Sequence, residues 1–249
     1  MVNSPLRSPQ PVVQPAPGRL LPGNRVYAVG DVHGLAGRLA ELHAEIAADL
    51  RQYPVQRPVL VHLGDYIDRG PDSRSVVQRL AGIPIPGLRT VNLLGNHEQM
   101  MLEALTGDRR AIADWRDTHG EETLRSWGLR GVHPSDWERR LPPADLAFLR
   151  ALPTSWALDD YLFVHAGVRP GISLTAQLPE DFLWIREPFL EHCGTMLPDR
   201  PSVAVVHGHT PEPAPAVTRN RIGIDTGAVR GGPLTCAVLE GSSVRFLMR

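Results

Sequence analysis

The stretch VLVHLGDYIDRG, residues 59–70, joins a β-branched apolar run to a glycine-flanked cluster of charged side chains. The run Val59–Leu63 is typical of a buried β-strand, and Asp65, Asp68 and Arg69 follow closely after it. Open α/β sheets bind their ligands in loops at the carboxyl ends of strands. This stretch therefore predicts a strand that delivers polar side chains to a site at a sheet edge.

Four further segments follow the same design. They are GDVHG (30–34), GNHE (95–98), HAG (165–167) and GHT (208–210). Each follows an aliphatic run that we predict to be a strand, and each places Asp, His or Asn where that strand ends. Carboxylate, amide and imidazole groups are metal ligands. Five such segments supply enough ligands for two cations, and this favours a two-metal hydrolase that acts on a phosphate ester.

The order of elements predicts an α/β fold. Strands alternate with helices over the first hundred residues, which indicates parallel strands covered by helices. After Pro153 the chain is rich in strands, and these predict a second sheet packed on the first. The predicted strands are 25–29, 59–63, 88–94, 154–158, 161–164, 203–207, 221–224, 234–239 and 244–248. The predicted helices are 35–50, 73–80, 97–105, 111–118, 121–127 and 143–149.

Composition divides the chain into a tail and one domain. Residues 1–23 carry six prolines and little apolar periodicity, so we predict a flexible tail there and a catalytic domain over 24–249. A helical insertion is expected over about 108–150. The net charge of −1 gives no electrostatic footprint for nucleic acid or an anionic membrane. With no apolar run of membrane-spanning length and no secretory signal, we expect a cytoplasmic protein.

The candidate metal ligands have different chemical capacities. Asp65 is the candidate bridging ligand, because a carboxylate has two oxygens and its segment is central in the order of strands. Asp31 and His33 are separated by one residue, so at an extended strand end both side chains can reach one ion. The remaining candidates supply one amide oxygen and two imidazole nitrogens, from Asn96, His165 and His209.

Other residues of these segments suit the chemistry of phosphate hydrolysis. Arg69 has a planar guanidinium that matches phosphate oxygens in a bidentate manner. His97 is the candidate acid for the leaving group, and Asp68 is the carboxylate that would orient it. Six further histidines lie outside the segments or at the wrong phase, and we predict structural roles for them: His43, His62, His119, His133, His192 and His207.

The segments resemble the motifs of the phosphoprotein phosphatase family of metal-dependent serine/threonine phosphatases, within the calcineurin-like metallophosphoesterases. GDVHG (30–34) is similar to GDxHG, GDYIDRG (64–70) to GDxVDRG with Ile67 in place of Val, and GNHE (95–98) is shared. HAG, GHTP and IDTGAV (224–229) also fit, and the resemblance to the bacterial and bacteriophage branch covers residues 24–249.

The resemblance implies a two-sheet β-sandwich flanked by helices and a role for each site residue. Two divalent ions are expected, with manganese favoured and iron, zinc, nickel or cobalt as alternatives. Arg69, Arg186 and Asn96 would bind substrate phosphate, and His97 with Asp68 would form the acid pair. One metal would be held by Asp31, His33 and Asp65, and the other by Asp65, Asn96, His165 and His209.

Three functional hypotheses are compatible with these residues. The favoured one is a phosphomonoesterase, a serine/threonine protein phosphatase that hydrolyses its substrate directly with a hydroxide bridging two metal ions. The alternative is a dinucleoside-tetraphosphate hydrolase of the diadenosine-tetraphosphate type, which shares the family motifs. A catalytically inactive phospho-binding module is the alternative of another class, but no ligand and no acid residue is missing. A nucleic-acid substrate is disfavoured by the absent basic bias, and a phosphoprotein or small phosphoester is the expected partner.

Overall fold

The computed structural model describes residues 12–249. Its strands are β1 (Gln14–Pro15), β2 (Asn24–Val29), β3 (Arg57–His62), β4 (Arg89–Asn92), β5 (Ser155–Leu158), β6 (Tyr161–Val164), β7 (Ala204–His207), β8 (Ala216–Val217), β9 (Arg221–Gly223), β10 (Thr235–Glu240) and β11 (Ser243–Met248). Its α-helices are α1 (Ala36–Gln52), α2 (Ser73–Ala81), α3 (Asn96–Ala104), α4 (Arg109–Trp115), α5 (Glu121–Ser126), α6 (Trp137–Arg140), α7 (Pro143–Arg150) and α8 (Pro179–Trp184). A π-helical turn, Arg116–Gly120, joins α4 to α5.

The first sheet has the strand order β1-β11-β10-β2-β3-β4. Strands β2, β3 and β4 run parallel, with Val26 opposite Val59 and Val59 opposite Arg89. This confirms the prediction of parallel strands in the first hundred residues. The carboxyl ends of these three strands therefore meet at one edge of the sheet, where the first three polar segments begin.

The second sheet has the order β5-β6-β7-β9-β8, and β6, β7 and β9 run parallel within it. The late strands differ from the prediction, because β10 and β11 do not join this sheet. Strand β10 pairs antiparallel with β2 and extends the first sheet instead. Apolar alternation in a strand predicts that it is buried but does not identify its neighbour, since any open sheet edge satisfies the same backbone groups.

Three apolar clusters separate four layers. Alternate residues of β2 face opposite sides, so Val26 and Ala28 pack between the sheets while Tyr27 and Val29 pack under the helices. The inter-sheet cluster also includes Phe163 of β6. A third cluster lies between the outer face of the second sheet and the segment around α8. The result is a two-sheet sandwich flanked by helices, as the sequence predicts.

The described part of the N-terminal segment differs from a flexible tail. Strand β1 pairs antiparallel with β11, and Leu20 is 1% exposed. The backbone N–H of Leu21 donates to the Asp159 carboxylate at 2.8 Å. Prolines are tolerated here because an edge strand leaves its outer N–H positions unpaired. Residues 12–23 thus pack on the domain, whereas residues 1–11 of the predicted tail lie outside the described residues.

Between β4 and β5 the chain is mainly helical and includes α4 to α7. Two short helices, α6 and α8, were not predicted from the sequence, and α6 spans only four residues. A helix of one turn has too few positions to show a 3.6-residue period. The segment that joins α3 to α7 covers the outer face of the first sheet through buried side chains such as Trp115 and Trp137.

Candidate metal-dependent active site

The structure brings the five polar segments together at the carboxyl ends of five strands. Asp31 follows β2, Asp65 follows β3 and Asn96 follows β4 in the first sheet. His165 follows β6 and His209 follows β7 in the second sheet. All five side chains are buried, with exposed fractions of 7% or less. The site therefore lies at one end of the sandwich, where both sheets contribute their parallel strand ends.

Backbone strain is concentrated in the same loops. Among the described residues, seven non-glycine residues have positive φ, and five of them are predicted site residues: His33, Asp65, Asp68, Arg69 and His209. Such conformations are uncommon for residues with a Cβ and persist where the surroundings enforce them. The loops are also very close to one another, since a Cβ added at Gly208 would collide with the Asp31 carboxylate. The surrounding structure thus holds these residues in uncommon backbone conformations, and this fixes the orientation of their side chains.

Asp65 lies between two sets of ligand atoms. Its Oδ1 is 3.3 Å from His165 Nε2, and its Oδ2 is 3.4 Å from His33 Nε2. Burial opposes its negative charge, but the surrounding histidines lower the pKa of Asp65 below its ordinary value. Each carboxylate oxygen faces a different group of imidazoles, and this is the arrangement that a ligand shared by two cations requires.

The set of Asn96, His165 and His209 has an excess of acceptors. The carbonyl of Leu63 can only accept, so His165 donates from Nδ1 at 2.9 Å and its neutral ring keeps a lone pair on Nε2. That lone pair lies 2.8 Å from Asn96 Oδ1. His209 Nδ1 lies 3.0 Å from the same oxygen, and burial lowers the pKa of His209 to about 3. A cation at this point would satisfy the facing lone pairs of His165 and Asn96.

His33 presents a second lone pair to the site. Its Nδ1 donates to the Ile67 carbonyl at 2.8 Å, and its Nε2 accepts from the Arg69 guanidinium at 2.6 Å. Burial lowers the pKa of His33 to about 3, so the ring is neutral at pH 7. Neutral imidazole is the form that coordinates metals. Within the part of the chain that the structure describes, two three-residue groups could hold a metal ion, one including His33 and one including His209, and both contain Asp65.

Asp31 lies outside those two groups of ligand atoms, but its surroundings call for positive charge. Both of its oxygens accept the backbone N–H of His209, at 3.1 and 3.2 Å. Burial, together with the nearby carboxylates Asp225 and Asp65, raises the pKa of Asp31 well above its ordinary value. A cation would offset this crowding of buried carboxylates. The donor set therefore fits a group of divalent metal ions.

His97 and Asp68 form the predicted pair. His97 Nδ1 donates to Asp68 Oδ2 at 2.7 Å, and His97 Nε2 faces the site at 3.9 Å from Asp65 Oδ2. Burial opposes the charged imidazolium, but Asp65 and Asp68 raise the pKa of His97 above its ordinary value. This is the only site histidine whose pKa is shifted upward within the described residues. The upward shift suits a proton donor.

Glu98 is a site-building residue for which sequence reasoning assigned no role. Its carboxylate accepts four backbone N–H groups, from Asp65 at 2.9 Å, Tyr66 at 2.8 Å, Ile67 at 3.2 Å and Gly95 at 3.0 Å. It therefore fixes the loop after β3 to the start of α3. Its position three residues after the Gly95 helix cap is the signal that could have identified it, since a glutamate there often reaches back to backbone N–H groups.

Arg69 and Arg186 occupy different positions at the site. Arg69 is half-buried and reaches His33, whereas Arg186 is exposed just after α8. Trp184, the last residue of α8, is 40% exposed, and its indole lies 6.2 Å from the His209 ring. Its N–H donates to Gln99 of α3 at 2.7 Å. The mouth of the site is thus bordered by an aromatic surface and a cation from the second half of the chain.

A family model for calcineurin-like phosphoesterases matches residues 24–242. The chain belongs to this family, and it is accordingly a phosphoester hydrolase. Among the described residues, none of the helices is long and apolar enough to cross a membrane.

Curated relatives of this chain are named either as a protein phosphatase or as a bis(5'-nucleosyl)-tetraphosphatase. It is 29% identical over 229 residues to serine/threonine-protein phosphatase 1 of Salmonella typhimurium, covering 86% of this chain and 92% of that protein. It is 28% identical over 229 residues to an asymmetrical bis(5'-nucleosyl)-tetraphosphatase of Bacillus cereus, covering 83% and 87%. It is 33% identical over 149 residues to a symmetrical bis(5'-nucleosyl)-tetraphosphatase of Janthinobacterium, covering 58% and 44%.

Solved structures share the fold. A cold-active protein tyrosine phosphatase superposes with a TM-score of 0.62 at 20% identity, over 89% of this chain and 77% of that one. A protein serine/threonine phosphatase from Saccharomyces cerevisiae superposes with a TM-score of 0.55 at 13% identity, over 91% and 80%. These likenesses concern the arrangement of strands and helices, because a fold hosts many specificities.

Proposed function

We propose that this protein is a metal-dependent phosphomonoesterase that removes phosphate from phosphoserine and phosphothreonine in proteins. The observation that carries this proposal is the placement of the His97–Asp68 pair beside Asp65, with the Arg69 guanidinium over the same ligand group. A metal site alone fits many reactions. A proton donor and a phosphate-binding cation at the same site favour hydrolysis of a phosphate ester whose alkoxide leaving group must be protonated.

The metal-binding roles follow from the donor set. Asp31, His33 and Asp65 would hold one divalent ion, and the other would be held by Asp65, Asn96, His165 and His209. When bound, these ions supply activated water near neutral pH and charge that balances the phosphate. We propose manganese as the working metal, with iron, zinc, nickel or cobalt as alternatives to be compared directly.

The remaining residues act on the substrate itself. Arg69 binds non-bridging phosphate oxygens through its paired N–H groups, and Arg186 and Asn96 add contacts from the other side of the site. His97 donates its Nε2 proton to the oxygen of the leaving group. Asp68 accepts the opposite N–H of the ring and keeps the proton-donating nitrogen directed into the site.

A dinucleoside tetraphosphatase is the second candidate. It is supported by the two tetraphosphatase relatives and by the exposed indole of Trp184 beside His209, which is a suitable surface for a nucleobase. The alignment with the serine/threonine phosphatase relative covers 92% of that protein's length, and we therefore rank the protein phosphatase first. The inactive phospho-binding module is disfavoured because the acid pair and all predicted ligands are present in one site.

The test compares three substrates with manganese-loaded protein: a phosphoserine peptide, p-nitrophenyl phosphate and diadenosine tetraphosphate. The expected result is a higher kcat/KM for the phosphopeptide than for the dinucleotide, with phosphate as the product. An Asp65→Asn preparation, purified identically, controls for contaminating phosphatases. A kcat/KM at least 100-fold higher for diadenosine tetraphosphate would select the second candidate, and hydrolysis of none of the three would support the binding module.

A further inference from the structure

The carboxylate of Asp68 is fully buried and receives hydrogen bonds from three side chains. Its Oδ2 accepts from His97 at 2.7 Å and from the indole N–H of Trp115 at 3.0 Å. Its Oδ1 accepts from the Thr123 hydroxyl at 2.5 Å. Two of the three donors therefore come from the helical segment 108–150, in which the sequence shows no catalytic motif.

Thr123 contacts Asp68 twice. Its hydroxyl donates to the carboxylate and accepts the Asp68 backbone N–H at 2.9 Å. Ser73 Oγ lies 3.1 Å from the same hydroxyl and also accepts the Asp68 N–H, at 3.2 Å. Asp68 has a φ of 68°, an uncommon value for a residue with a side chain. External hydrogen bonds to both its backbone and its carboxylate are what hold such a conformation in place.

Trp115 is held as firmly as Thr123. It is 0% exposed, ends α4 and packs edge-on against Trp137, with ring centroids 5.7 Å apart. A Cβ added at Gly120 would collide with the Trp115 ring, so the turn before α5 is built closely against the indole. The segment thus delivers one rigid indole N–H and one hydroxyl to opposite oxygens of Asp68. Donors on both oxygens leave the carboxylate no freedom to rotate away from His97.

We propose that Trp115 and Thr123 are positioning residues for the proton donor. They fix the rotamer of Asp68, and Asp68 in turn fixes the ring of His97 with Nε2 directed at the leaving group. This inference rests on the proposed function, in which His97 is the acid. The helical segment would then contribute to the rate of leaving-group departure through two hydrogen bonds.

The chain offers a matched control. Trp127 is also a nearly buried tryptophan of the same segment, and its indole N–H donates to a buried carboxylate, Asp145, at 2.8 Å. Trp127→Phe removes the same kind of hydrogen bond as Trp115→Phe, but it leaves the donors to Asp68 intact. Both variants lose similar packing, so a difference between them reports on Asp68.

The first measurement compares leaving groups. Trp115→Phe and Thr123→Val should lower kcat by about 10-fold on phenyl phosphate, a poor leaving group, with little change in KM. The loss should be smaller on p-nitrophenyl phosphate, because that leaving group departs without full protonation. Thr123→Ser, which keeps the hydroxyl, should restore most of the rate. Equal losses on both substrates, or losses equal to those of Trp127→Phe, would contradict the positioning role.

The second measurement does not depend on activity. The Nδ1 proton that His97 shares with Asp68 should give an exchange-protected, low-field imidazole resonance in NMR spectra of the wild-type protein and of Trp127→Phe. In Trp115→Phe and Thr123→Val the resonance should broaden or disappear, because Asp68 gains rotational freedom. An unchanged resonance in both variants would overturn the inference. Wild-type protein without phosphatase activity, but with this pattern of resonances, would contradict the proposed function and leave the positioning role supported.

Discussion

A pair of buried histidines outside the site, His43 and His62, differs from the buried site histidines in its hydrogen-bond partners. His43 on α1 and His62 on β3 are 2% and 0% exposed, which is as buried as His33 and His165 in the site at 3% and 0%. Burial lowers the pKa of His43 to about 4 and that of His33 to about 3. Neither burial nor the direction of the pKa shift therefore distinguishes a metal ligand from a structural histidine.

The pair outside the site forms a hydrogen-bond chain that ends at His43 Nδ1, a buried atom with no hydrogen-bond partner within the described residues. The side-chain N–H of Asn92 donates to the Leu80 carbonyl at 3.2 Å, so its oxygen accepts from His62 Nδ1 at 2.8 Å. His62 Nε2 then accepts from His43 Nε2 at 2.9 Å. Each contact has one donor and one acceptor, and both rings are neutral. In the site, His165 instead directs a lone pair at Asn96 Oδ1, and His33 and His165 each lie within 3.4 Å of an Asp65 oxygen. This crowding of acceptors supports the metal-ligand role that we propose.

Removing the charge of Asp65 should have the largest effect on the difference between the site and the histidine pair outside it. Asp65→Asn keeps the shape but removes the anion that faces both ligand groups, and we expect activity to fall to background and both metals to bind weakly. Metal content after dialysis and kcat/KM check this. Asp145→Asn, a change at a buried carboxylate outside the site, should retain both metals. Two tightly bound metals in Asp65→Asn would refute the bridging role.

Replacing the proton donor should have the next largest effect. His97→Asn should retain metal and lose about 10²- to 10⁴-fold in kcat, the usual contribution of a general acid. The loss should be smaller for p-nitrophenyl phosphate than for phenyl phosphate. His97 also belongs to one of the groups that could bind metal, so metal content decides between the two roles. Equal impairment on both substrates would show that His97 is not the acid.

Metal removal should change stability through the proposed ligands and not through the buried histidine pair outside the site. Dialysis against a chelator should lower the melting temperature, and manganese at 100 times its Kd should restore about 2.7 kcal/mol. His209→Ala should lose most of this shift, because one ligand group is incomplete. His43→Phe should keep the full shift, although it alters an equally buried histidine. A manganese effect that His209→Ala leaves unchanged would place the metal elsewhere.

The smallest expected effect is a loss of folding stability at acidic pH, and it comes from the histidine pair outside the site. The pKa of His43 is lowered by burial and by Arg79, so the unfolded chain binds more protons than the folded one below pH 6.5. Stability from this group is present above pH 6.5 and is lost as pH falls toward 4. Urea unfolding should therefore show about 2 kcal/mol less stability at pH 5 than at pH 7 from this group. His43→Phe should show a correspondingly weaker pH dependence, and an identical slope would contradict the assignment.

Local pattern predicted much of this molecule. The parallel order of β2, β3 and β4 follows from alternating apolar runs and helices, and it explains why three polar segments share one sheet edge. The short elements α6 and α8 were missed because they contain too few residues for a period to appear. The pairing of β10 with β2 was missed because partner choice depends on which sheet edge is open.

By itself, the sequence indicated the polar side chains that gather at the strand ends, because glycine-flanked Asp, His and Asn at such positions are chemically distinctive. Tertiary structure alone decided how they act on one another. Asp65 faces two ligand groups only after both sheets close, and Asp68 meets Thr123 across 55 residues of sequence. Residue type and local periodicity can be read from neighbouring positions in the sequence. The tautomer of a histidine or the rotamer of a carboxylate is instead fixed by hydrogen-bond partners that are distant in the sequence.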